Sequence, residues 1–125
     1  MMTSKSRGAS GGLPLVWLTH LPMPCFVLDK DARFAYVNEA FTKLSGYREK
    51  ELRKLRFDTL FARAGSRRGL DTLLDLYQGR SVASAPHGLI RKNNKETNVL
   101  LDAMPAYEGG SKKVTHVFGF LVTQA

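Results

Sequence analysis

Few residues in this chain could do chemistry, and their spacing argues against most of it. There is one cysteine, Cys25, and there are three histidines, His20, His87 and His116. A thiol nucleophile needs a base beside it, and a zinc-type site needs several His, Cys or carboxylate ligands that converge. The histidines are scattered, with no Cys or carboxylate cluster beside them, so neither arrangement can be assembled. We therefore expect no catalytic residue, no metal and no enzyme activity. Cys25 reads as a small apolar filler, and His87 as a strand histidine with a satisfied hydrogen bond.

The remaining candidate is electrostatic. The net charge is +8, and eight basic residues (Arg48, Lys50, Arg53, Lys54, Arg56, Arg63, Arg67, Arg68) crowd the stretch from Arg48 to Arg68 against three acidic ones. Such a stretch is either a solvated helical face or a docking surface for an acidic protein partner. Nucleic acid is not expected, because no aromatic residues interleave for base stacking and no recognition motif is present.

The elements that must position these residues can be read in order. The length of 125 residues suits one domain with a core of its own. A lone cysteine fits a reducing compartment. No apolar run approaches the roughly 18 residues of a membrane helix, so we expect a cytoplasmic protein with no membrane contact. Residues 1–12 (MMTSKSRGASGG) read as a flexible tail. Leu13 to Leu21 (LPLVWLTHL) reads as a short, nearly all-apolar helix that needs cover, and Pro22 and Pro24 stop it. Two short apolar runs follow, Cys25 to Leu28 and Phe34 to Val37, joined by a polar turn. At Asn38 the period changes to that of a helix carrying Ala40, Phe41, Leu44 and Tyr47, with Asn38 as N-cap and Gly46 near its end. Short helical pieces fill the region to Gly65, and Arg68 to Gln78 is an amphipathic helix with Leu70, Leu73, Leu74 and Tyr77 at helical spacing. Ser81–Lys92, Glu96–Tyr107 and Lys113–Thr123 are three long strands joined by hairpin turns. The expected fold is α+β: a five-stranded antiparallel sheet with short helices on one face and the N-terminal helix on the other.

This order resembles the PAS domain family. Asn38-Glu39-Ala40-Phe41 is close to the family's VNxAF signature, and Ser45-Gly46-Tyr47 with Glu49 and Glu51-Leu52 looks like its GYxxxEL continuation. Arg91-Lys92-Asn93-Asn94 stands where the family has an R-K-D-G hairpin, and Pro105 where its fourth strand often carries proline. The resemblance covers about Leu21 to Thr123, and residues 22–125 are expected to form one PAS-like domain. It implies no certain cofactor. The light-sensing branch uses a cysteine in G-x-N-C-R-F-L-Q, and the corresponding Lys54–Leu60 has none; the haem branch uses a histidine on the helix matching Arg68–Gln78, which also has none. Covalent flavin and haem are therefore not expected.

The resemblance also implies a register. Phe26, Leu28, Phe34 and Tyr36 would face a cup closed by Phe41, Leu44, Leu60 and Leu73. From the last three strands His87, Leu89 and Arg91, then Val99, Leu101 and Ala103, then Val117, Gly119 and Leu121 would face the same way. This lining is almost wholly apolar, which suits either a filled core or a small cavity for an apolar or aromatic ligand. The opposite face would carry Val27, Ala35, Val37, Ile90, Leu100, Phe118, Phe120 and Val122, too apolar to stand in water. The helix with Trp17, Leu18 and Leu21 would cover part of it, and a second subunit meeting Ile90, Leu100, Phe118 and Phe120 would cover the rest. The expected function is a sensory signal-transduction module that dimerises, with a downstream kinase, cyclase or regulator domain and a small-molecule ligand as partners. The alternative is a ligand-free adaptor docking an acidic partner through the basic helical face.

Overall fold

A computed structural model describes residues 20–61 and 67–124. Along them run β1 (Cys25–Leu28), β2 (Phe34–Val37), α1 (Glu39–Ser45), α2 (Glu49–Leu52), α3 (Phe57–Leu60), α4 (Arg68–Tyr77), β3 (Val82–Ile90), β4 (Glu96–Ala106) and β5 (His116–Thr123). The tail at 1–12 and all but the last two residues of the helix expected at 13–21 lie outside the described residues, and with them Trp17 and Leu18.

The strands form one antiparallel sheet in the order β2-β1-β5-β4-β3. The last strand thus inserts beside the first, and all four residues of β1 are buried. The helices pack on one face, where Leu52, Phe57, Leu60, Leu73 and Leu76 join the inward residues of the sheet in a single core. This is the five-stranded α+β arrangement that the periodicity predicts.

Local signals set the ends of α1. Asn38 accepts the Phe41 N–H with its side chain, and Gly46 closes the helix with φ +80°, a conformation that glycine adopts without cost. On α4 the buried apolar side centres on Leu73 and Leu76, while Leu74, expected on that face, is exposed. The Tyr77 hydroxyl donates to the Asp29 carbonyl and ties α4 to the β1–β2 turn. Burial first, and the nearby Asp29 charge second, push the Tyr77 pKa up to about 12.

One expectation of register fails. Leu28 pairs with Phe34 and Val27 with Tyr36, so Ala35 is an extra residue on β2. Phe34 and Val37 consequently both join the core, whereas Tyr36 stands beside Val27 on the other face. Tyr36 was expected in the cup and Val37 outside it. The bulge advances the strand by one residue, and with a period of two that exchanges the faces. On the last three strands the alternation holds: Leu89, Val99, Leu101, Val117 and Leu121 are inward and fully buried.

Candidate functional site: a filled cup and an apolar outer face

The cup is built around phenylalanine. Phe26 touches Phe34, Phe41 and Phe57, with ring centroids 5.9, 5.8 and 5.6 Å apart. Phe34 and Phe41 are 5.4 Å apart, and Phe57 and Phe61 4.5 Å. Rings at these separations are in van der Waals contact, so the centre of the cup is occupied by side chains from β1, β2, α1 and α3. Phe26, Leu28, Phe34, Phe41, Leu60, Leu73, Leu89, Val99, Leu101 and Leu121, the residues expected to line it, come together in this core, and Leu44 packs against it half-buried. Phe57 and Phe61 were not expected there. Their signal was present in the spacing of Phe57, Leu60 and Phe61, one turn of a helix.

The polar candidates separate. Tyr36 leaves through the bulge. Arg91 lies just beyond β3, and its Nε donates to the Leu44 carbonyl at 2.9 Å. It fastens the β3–β4 hairpin to the end of α1 and does not line the cup. His87 does face inward and is buried. Its Nδ1 lies 3.0 Å from the Ala85 carbonyl and its Nε2 2.8 Å from the Thr72 hydroxyl. A carbonyl can only accept, so Nδ1 carries the proton and Nε2 accepts from Thr72. The ring also meets Phe61 edge-on at 5.5 Å. His87 therefore links β3 to α4 as a neutral imidazole.

Burial lowers the His87 pKa from its ordinary 6.5, and the Arg68 charge acts in the same direction. Between the lowered folded pKa and 6.5, the unfolded chain binds more protons than the folded one. Stability is thus level above about pH 7, falls as the pH drops below 6.5, and levels again below the folded pKa. Urea midpoints measured from pH 7.5 to 4.5 should show this fall, and His87→Gln should flatten its His-linked part.

The outer face is apolar along β1, β5 and β4. Phe118 pairs with Val27 and Met104, Phe120 with Cys25 and Asp102, and Val122 with Leu100. Ile90 lies on the same face at the end of β3, opposite Glu96. Met104 is 57% exposed, Val122 43% and Phe120 36%. A cavity of about 370 Å³ opens on this face, lined by Leu21, Cys25, Val82, Met104, Phe118 and Phe120 among others, with one carboxylate, Asp102. Met104 and Asp102 were not singled out from the sequence, although the alternation of β4 places both on the face of Leu100. Cys25 points to this face and is buried; its Sγ–H donates to the Met23 carbonyl at 3.3 Å. Burial raises its thiol pKa, the opposite of what a nucleophile requires.

Part of the basic stretch is engaged with nearby acids. Arg53 pairs with Glu49, Arg56 with Asp58, and Arg67 with Asp71. Glu51 accepts the Arg48 N–H and the Lys92 ammonium, and these bonds hold its carboxyl below the usual range. These exposed pairs add little stability, but they reduce the charge available to an acidic partner. None of the helices in the described residues is long and apolar enough to cross a membrane.

The comparisons agree with the fold. A domain of a sensory box sensor histidine kinase/response regulator from Geobacter sulfurreducens superposes with a TM-score of 0.76 at 17% identity, covering 95% of this chain and 98% of that one. The Rhodobacter sphaeroides LOV protein gives 0.80 at 16% identity, covering 96% and 69%. The PAS domain of a Desulfitobacterium hafniense protein gives 0.67 at 20% identity, covering 87% and 99%. No curated protein matches the sequence. The family model that matches is that of the PAS domain, over residues 22–122. With that match spanning most of its length, and with the sheet, the Asn38 cap and the helical cup in place, the chain belongs to the PAS domain family.

Proposed function

We propose that this PAS domain is a cytoplasmic, non-catalytic signal-transduction module whose working surface is the outer face of its sheet. Through that face it joins a second copy of itself and passes a change in the contact to a downstream kinase, cyclase or regulator domain. The observation that carries this reading is the row Leu100, Phe118, Phe120 and Val122, apolar and in part open to water. A sheet face meant for solvent alternates to polar residues, and a contiguous apolar patch marks an interaction site. Structural neighbours that are parts of sensor histidine kinases support the signalling role. The packed phenylalanines favour a signal that enters through contact, since an apolar ligand in the cup would have to displace a ring.

Sedimentation tests the reading. The parent should sediment as a dimer. Leu100→Glu and Val122→Glu should each raise the dissociation constant by roughly 30-fold or more, the effect of losing a central interface residue. A parent that sediments as a monomer, or variants that sediment like a dimeric parent, would refute dimerisation through this face.

A further inference from the structure

The two halves of α4 are held to the molecule unequally. The second half brings Leu73 and Leu76 into the core, and the Tyr77 hydroxyl fastens its end to Asp29. The first half, Arg68 to Thr72, buries only Gly69 and Thr72. Its N-cap, Arg67, makes no side-chain capping bond, so the first turn lacks that anchor. Gly69 lies close against Phe61 at the end of α3, where a Cβ would stand 2.9 Å from the Phe61 Cβ. The buried hydrogen bond between the Thr72 hydroxyl and His87 Nε2, at 2.8 Å, joins this half to the sheet. Little buried apolar surface and an uncapped first turn describe a segment that opens locally, ahead of the core.

Protonation of His87 turns that bond against itself. The neutral ring accepts at Nε2, whereas a protonated ring carries a hydrogen there, aimed at the hydroxyl that donates to it. Among the described residues no acid stands by to take the charge. The carboxylates of α4, Asp71 and Asp75, are exposed and pair with Arg67 and Arg80. Asp58 on α3 pairs with Arg56. Glu96 and Asp102 on β4 belong to the outer face, where Glu96 covers Gly88 and Asp102 accepts from Ser84. The charge that does act on the ring, Arg68 of α4, has the same sign as the proton. We infer that the first half of α4 is a proton-operated gate on the helical side of the core, with the His87–Thr72 bond as its latch. When the gate opens, the His87 ring and its neighbour Phe61 meet water. It works within one chain and away from the outer face, so it stands or falls separately from dimerisation.

The size of the response follows from linkage. In the open arrangement His87 titrates at its ordinary 6.5, and burial keeps the closed ring below that. The ratio of open to closed chains therefore rises up to about tenfold for each pH unit below 6.5. It levels off once the closed form takes up the proton as well.

Amide hydrogen exchange on the full chain reads the gate, with each rate divided by its intrinsic value at the same pH. The Asp71 and Thr72 amides should be less protected than those of β1 and β5. Low urea should barely change them, as expected for a local opening that exposes little surface. Between pH 7.5 and 5.5 their protection should fall several-fold, to a limit of about tenfold. His87→Gln stays neutral throughout and should flatten this fall. Thr72→Val keeps the shape of the side chain but removes the hydroxyl, and should lower protection several-fold already at pH 7.5. Exchange of Asp71 and Thr72 with the same protection and urea dependence as β1 and β5 would mean that α4 does not open by itself, and would overturn the proposal. So would a parent profile flat from pH 7.5 to 5.5, or Thr72→Val protected like the parent.

Discussion

Asn38→Ala is expected to destabilise the fold by about 3 kcal/mol, more than loss of a helix cap alone, which typically costs about 1 kcal/mol. The side chain is buried and works in two places. Its oxygen accepts the Phe41 N–H at 3.0 Å, starting α1, and the Cys25 N–H at 2.9 Å, starting β1. Its amide nitrogen donates to the Met23 carbonyl at 2.9 Å, holding the chain that leads into the sheet. Alanine leaves two N–H donors without this acceptor, and a buried unsatisfied donor costs about 1–3 kcal/mol. Asn38→Asp separates the two functions: it keeps the acceptor oxygen and loses the donation to Met23. Urea denaturation of the parent and both variants checks this. A loss in Asn38→Ala no larger than about 1 kcal/mol would mean that the cap is its whole contribution.

Gly119→Ala is the second large effect. Gly119 lies on the inward side of β5, paired with Phe26 across the ladder and covered by that ring. A Cβ at position 119 would stand 2.3 Å from Phe26 Cζ and within 3 Å of both Cε atoms. The ring cannot yield easily, because Phe34, Phe41 and Phe57 hold it on its other sides. Overpacking of this kind costs about 1–3 kcal/mol, occasionally more, and we expect about 3 kcal/mol, or a fall in Tm of roughly 10 °C. Phe26→Leu alone should also destabilise, by opening space among the phenylalanines. The double variant Phe26→Leu/Gly119→Ala should be more stable than the sum of the two losses predicts, with a coupling of about 1 kcal/mol or more. Additive losses would show that the ring and the glycine do not share one space.

Those two residues show where the sequence informs and where it stops. Asn38 was legible as a cap, because a cap is a local event: a side-chain oxygen and an N–H three residues later. Its bond to the Cys25 N–H spans thirteen residues and exists only once β1 lies alongside. Gly119 was legible as an inward position through the register that the resemblance implies, but nothing near it in sequence announces the Phe26 ring that needs its space. The same division runs through the site. The faces of β4, β5 and β3 beyond its bulge followed from alternation in the register that the resemblance implies, since regular stretches of strand keep their period. The faces of Tyr36 and Val37 did not, because the bulge at Ala35 is fixed by pairing with β1.

By itself, the sequence determined the order of strands and helices, the capped start and glycine end of α1, the apolar character of both sheet faces, and the resemblance to the PAS family. All of these are carried by residue type and short-range spacing. The tertiary structure alone decided that phenylalanines from four elements meet in the cup, that His87 faces Thr72, that the Lys92 ammonium reaches Glu51, and that Asp102 reaches a groove at Leu21. Each of these depends on which elements lie side by side, and that is set by long-range pairing and packing that the local pattern does not encode.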